Sequence, residues 1–135
     1  MVVLLTTIFI GGFFINLLYE LLHSLLYKTC LESPLPNYLY LILKAALFDG
    51  ITITTIYFIT YLVFQNKNPF NNYFQLVLFC LIGLLFAFLY EKYSLYQKRW
   101  EYSDKMPLIF SVGVTPTIQL ALTGFLVLHF TFNFA

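Results

Sequence analysis

The chain has 135 residues, of which 61% are hydrophobic and only 10% charged, with a formal net charge of +1. Soluble domains carry about 25% charged residues, so an ordinary water-exposed surface is excluded, and near-neutral charge gives no electrostatic basis for binding nucleic acid. Cys30 and Cys80 form neither a CxxC pair nor a disulfide framework.

Mean hydropathy is +0.84, and the apolar runs are long. A hydrocarbon core of about 30 Å needs roughly 20 helical residues. Four such segments are expected, forming one all-α, up-down-up-down membrane domain over residues 1–135.

The first helix is predicted over about residues 3–27. It reads as a retained helix rather than a signal peptide, because no Lys or Arg precedes Lys28 and because it carries Glu20 and His23. Pro34 and Pro36 are expected to break the chain before a second helix over about 38–64. A polar turn around Pro69 leads into a third helix over about 73–96. The charged stretch Gln97–Pro107 precedes a fourth helix over about 108–130. Pro116 then falls inside the fourth helix, where a kink is expected.

Short loops make the helices alternate in direction. Both termini and the Gln65–Asn72 loop share one side of the membrane, called side A here. The Tyr27–Asn37 and Gln97–Pro107 loops share side B. Lys28, Lys98, Arg99 and Lys105 lie in or beside the side-B loops, against Lys67 alone on side A. The positive-inside rule puts side B in the cytoplasm and both termini outside. Tyr19, Tyr27, Tyr38, Tyr40, Tyr90, Tyr93, Tyr96, Trp100 and Tyr102 also fall on the side-B half. They read either as an interfacial belt or, in part, as phenols lining a polar pocket.

An ionisable side chain inside a membrane helix costs roughly 2.5–3.5 kcal/mol or more, and persists mostly where it faces a bundle interior. Here Glu20 and His23 lie in the first helix, Lys44 and Asp49 in the second and Glu91 in the third. All fall in the side-B half or near the midplane. Asn16, Glu20, His23 and Tyr27 share one helical face, as do Ser111, Thr115, Gln119 and Thr123. Lys44 stands about 140° from Asp49 around its helix, so it need not point inward.

Several chemistries fit these residues. Glu20, His23, Asp49 and Glu91 are candidate acid–base groups, with Asn16, Thr115 and Gln119 as neutral binding partners. Arg99 and Trp100 are candidate contacts for a phosphate headgroup or other substrate part. Glu20-Leu21-Leu22-His23 has the E-x-x-H spacing of di-iron bundles, but no second pair follows. No cofactor is predicted, although Glu20, His23, Asp49 and Glu91 leave room for one divalent metal. A structural polar network is the alternative to all of these.

In length, helix count and a membrane Glu in the first helix, the chain resembles the small multidrug resistance transporters. The likeness is one of architecture. Their first-helix Glu is not part of an E-x-x-H pair, and their other helices lack this density of charge.

The expected function is binding or acid–base chemistry, of isomerase, cyclase or hydrolase type, on a lipidic or isoprenoid-like substrate. The expected partners are membrane lipids or a lipid-soluble small molecule. The alternatives are a proton-coupled exporter of hydrophobic cations working as a homodimer, and a non-catalytic accessory subunit of another membrane protein.

Overall fold

The computed structural model describes residues 1–134. Four helices form the body: α1 (Val2–His23), α2 (Leu35–Phe64), α3 (Tyr73–Tyr96) and α4 (Val114–Asn133). All four are long and apolar enough to cross a membrane. The protein is an all-α, four-helix, multi-pass membrane protein.

Local chemistry explains the helix ends. Asn72 caps α3 by accepting a hydrogen bond from the Phe74 N–H, so the helix starts where the sequence places it. α2 begins three residues earlier than expected. Pro34 caps it in extended conformation and Pro36 sits in its first turn, where a missing N–H breaks no hydrogen bond. The two prolines therefore start α2 rather than hold the chain out of helix. α1 stops at His23 instead of Tyr27. A 3-10 turn over Ser24–Leu26 follows, and Tyr27 turns to extended backbone before one helical turn at Lys28–Leu31.

The fourth helix departs most from expectation. It starts at Val114, and the six residues before it form a β-hairpin of β1 (Leu108–Ile109) and β2 (Val112–Gly113). Leu108 pairs with Gly113 and Ile109 with Val112. Phe110 and Ser111 take left-handed φ angles of 51° and 64°, as a two-residue primed turn requires. Pro116 consequently occupies the first turn of α4, so the expected interior kink has no basis. Ser111 sits in the exposed turn and drops out of the polar stripe, which runs Thr115, Gln119, Thr123.

Around the bundle the order is α1, α2, α3, α4, with α4 returning to α1. The side-A half holds the apolar core, including Ile8, Ile53, Ile56, Phe79, Val127 and Leu128. Two glycine contacts set the helix spacing. A Cβ on Gly12 would stand 3.2 Å from the Gly50 Cα, and one on Gly50 would stand 3.1 Å from the Phe13 nitrogen. On α3, a Cβ on Gly83 would stand 3.2 Å from the Ala121 nitrogen. Asn16 follows Gly12 by one turn and Asp49 precedes Gly50, so the α1–α2 contact carries both polar residues into the interior. Gly50→Val must push backbone away from backbone. It is expected to cost about 3 kcal/mol, the upper end for overpacking, read as a lower melting temperature in detergent. An unchanged melting temperature would refute the close-contact account.

Candidate functional site: a polar interior under an aromatic clamp

The deeper part of the site gathers on one amide. Gln119 Nε2 lies 2.7 Å from Glu20 Oε1, 2.8 Å from Asp49 Oδ2 and 3.1 Å from Asn16 Oδ1. Three helices thus meet through one nitrogen. An amide nitrogen carries two hydrogens, so three acceptors compete for them. Thr123 Oγ1 stands 3.0 Å from Asn16 Oδ1 and 2.8 Å from the Gln119 carbonyl, and its one proton serves one or the other. Asn16, Asp49, Gln119 and Thr123 are all buried, while the Glu20 side chain keeps 12% of its surface exposed.

Glu20 also holds His23, with Oε2 3.0 Å from Nε2. The other ring nitrogen, Nδ1, stands 3.3 Å from Thr115 Oγ1. That hydroxyl is in turn 3.4 Å from Met106 Sδ. A neutral His23 donates from Nε2 to Glu20 and accepts the Thr115 hydroxyl proton at Nδ1. A protonated His23 donates from both nitrogens, and the Thr115 hydroxyl turns to Met106. Both proton states are accommodated by rotating one hydroxyl, with no heavy atom displaced. Tyr19 pins the same turn of α4 by donating to the Thr115 carbonyl at 2.6 Å.

Glu91 belongs to a second centre. Its Oε1 accepts from the Tyr27 hydroxyl at 2.8 Å, the Trp100 indole at 3.0 Å and the Tyr102 hydroxyl at 2.6 Å. Tyr102 also accepts the Gly113 N–H, which ties β2 to the same point. Burial and the neighbouring carboxylate push the Tyr27 and Tyr102 phenols up, so both remain protonated donors. Backbone pairing completes the clamp. Tyr27 and Tyr102 form an antiparallel bridge, with Lys28 N–H donating to Glu101 O and Ser103 N–H to Leu26 O, each at 2.9 Å. The Lys28–Glu101 ion pair at 3.5 Å is exposed and adds little.

The His23 and Tyr27 rings join the two centres, meeting edge-on with centroids 5.3 Å apart. Glu20, His23, Asp49, Asn16, Thr115 and Gln119 therefore converge as the sequence leads one to expect. Glu91, expected in the same cluster, points inward to its own aromatic donors instead. Among the described residues no group of three His, Cys, Asp or Glu side chains stands in a metal-holding arrangement.

Arg99 and Trp100 part company. Trp100 turns in to Glu91, whereas Arg99 is exposed and lies 5.2 Å from the Tyr93 ring centroid and 6.0 Å from that of Tyr90. The side-B aromatics divide too. Tyr40, Tyr93 and Tyr96 are exposed, while Tyr27 and Tyr102 bind the carboxylate. Tyr27 and Tyr102 are thus the phenols that line a polar pocket rather than a belt, and sequence reasoning did not single them out from the other side-B aromatics. Lys44 is exposed over the Tyr40 ring, so it does not neutralise Asp49.

Two open grooves lie elsewhere, in the side-A half. One of about 300 Å³ is lined by Leu5, Phe9, Ile51 and Thr54, and one of about 440 Å³ by Ile10, Ile15, Val127 and Phe130. None of the side chains of the two polar centres lines either groove. No protein-family model, curated protein or solved structure matches this chain.

Proposed function

We propose that the protein is a membrane-embedded acid–base site for a lipidic or isoprenoid-like molecule that enters from the bilayer on side B. The carrying observation is the Gln119 amide with Glu20 on one side and Asp49 on the other, and His23 bonded to Glu20. Asn16, Gln119 and Thr123 already supply a neutral network able to fix helix register. Two carboxylates and an imidazole add charge that such a purpose does not require, at a cost inside a membrane. The Glu20–His23 pair is the proton donor and acceptor in this reading. Asp49 anchors the floor of the site, and Thr115 follows the proton state of His23. Loss of the bound molecule in Glu20→Gln is the test.

One observation favours the accessory-subunit reading instead. The polar groups bond chiefly to one another and adjoin neither groove, as expected of a network that only holds helices together. The exporter reading has less support. Ile8, Ile53, Ile56 and Phe79 close the side-A half, and no carboxylate continues a path through it.

The same reading places side B in the cytoplasm. Lys67 and Lys105 are both exposed and sit in loops on opposite sides. In a background with Cys30 and Cys80 replaced, Lys67→Cys is expected to react with an impermeant maleimide on intact cells. Lys105→Cys is expected to react only after the membrane is opened. The reverse pattern would invert the protein.

A further inference from the structure

On the outside of the bundle, the seam between α2 and α3 carries an aromatic wall topped by two cations. Phe48 of α2 stacks on Tyr90 of α3 with centroids 4.8 Å apart, and Phe86 lies nearly parallel to Tyr90 at 5.9 Å and 7°. One turn from Phe48 toward side B, Lys44 Nζ sits 5.8 Å from the Tyr40 ring. Across the seam, Arg99 rests on Tyr90 and Tyr93, and its Nη1 is 3.4 Å from the Tyr90 hydroxyl.

Neither cation has a carboxylate partner among the described residues. The only ion pairs there are His23–Glu20 and Lys28–Glu101. Two exposed, unneutralised cations therefore flank one seam toward its side-B end. The stacking holds the Arg99 guanidinium in place while leaving most of its donors free, and a planar guanidinium matches phosphate oxygens in pairs. Below it, Phe86 is 39% exposed and presents a flat apolar wall.

We infer that this seam binds an anionic phospholipid. The phosphate sits between Lys44 and Arg99, and an acyl chain lies along Phe48 and Phe86. The assignment stands whether or not the interior network performs chemistry. A free phosphate ion satisfies the cations but leaves the aromatic wall without purpose, so the lipid is the better occupant.

The test is native mass spectrometry of the full chain in detergent, titrated with phosphatidylglycerol and with phosphatidylcholine of the same acyl chains. A surface cation contributes roughly fivefold in affinity for an anionic lipid, so two give about 30-fold. Wild type is expected to prefer phosphatidylglycerol by that order. Lys44→Gln with Arg99→Gln is expected to bring the two lipids near parity, and either change alone to remove about fivefold. Lys98→Gln with Lys105→Gln, also exposed on side B, serves as the charge-matched control and is expected to retain most of the preference. All four positions are exposed, so the variants keep the fold, and melting temperatures check this. A Lys44/Arg99 double variant that still prefers phosphatidylglycerol overturns the site. So does a control pair that loses as much as the Lys44/Arg99 pair. Abolition of the preference by millimolar inorganic phosphate overturns the lipid in favour of a free anion, and persistence in phosphate supports the lipid.

Discussion

Glu20→Gln is expected to leave the fold intact while removing the protein's hold on its ligand or its chemistry. The amide offers Gln119 the same acceptor oxygen and offers His23 a hydrogen-bond partner, so shape and most bonding survive. Ionisation does not. Removing an acid–base group costs roughly 10²–10⁴-fold in rate, and an apolar ligand oriented by a carboxylate loses its polar contact. Asp49→Asn keeps an acceptor for Gln119 and is expected to behave alike. Stability follows the opposite sign, since a buried charge disappears and the melting temperature stays level or rises. The measurement pairs thermal unfolding in detergent with mass spectrometry of lipid-soluble molecules that copurify. Full retention of those molecules by both variants would exclude a binding role for the carboxylates. The interior would then be a packing network, as in an accessory subunit.

The second large effect falls on stability. Glu91→Ala strands three donors, that of Tyr27 buried and those of Trp100 and Tyr102 half-buried. A buried donor without a partner costs about 1–3 kcal/mol, and water reaching the clamp recovers part of it. A net loss of about 3 kcal/mol is expected. Limited proteolysis within Gln97–Gly113 should accelerate with it. Glu91→Gln keeps one acceptor oxygen and exchanges charged bonds for neutral ones, at roughly half the cost. Tyr27→Phe and Tyr102→Phe each remove one donor and should be milder than Glu91→Ala. If Glu91→Ala melts with wild type and its loop resists protease, the clamp contributes nothing.

How much of this is readable in the residues depends on the distance over which each feature is built. α3 is local, since Asn72 caps it and its bounds follow. The convergence of Asn16, Glu20 and His23 with Gln119 and Thr123 is also legible, because a repeat of three or four residues fixes a helical face. Lys44 is legible as a departure, being well away from Asp49 around the helix. The start of α4 is not. Leu108–Gly113 is a short apolar run, which hydrophobicity alone does not assign to strand or helix. Its turn residues, Phe110 and Ser111, lack the Gly or Asn that marks a primed turn. Pro116 held a usable sign, since proline is favoured in a first helical turn. Periodicity places Tyr27 on the Glu20–His23 face but says nothing of the rest of the aromatic clamp. Tyr27 and Glu91 are 64 residues apart, and only the folded-back loop brings Trp100 and Tyr102 to them.

The helices differ in length, and this bears on the bilayer the protein prefers. α4 has 20 residues and α2 has 30. At 1.5 Å per residue these span about 30 and 45 Å. α4 therefore only just matches a hydrocarbon core of about 30 Å when upright, and any tilt leaves it short. α2 has length to spare, about 15 Å beyond that core. The shortest wall sets the local thickness. The hairpin that directly precedes α4 exposes three apolar residues, Leu108, Ile109 and Phe110. Mismatch costs fractions of a kcal/mol per ångström, and in a thicker, sterol-like bilayer that cost falls on α4 first.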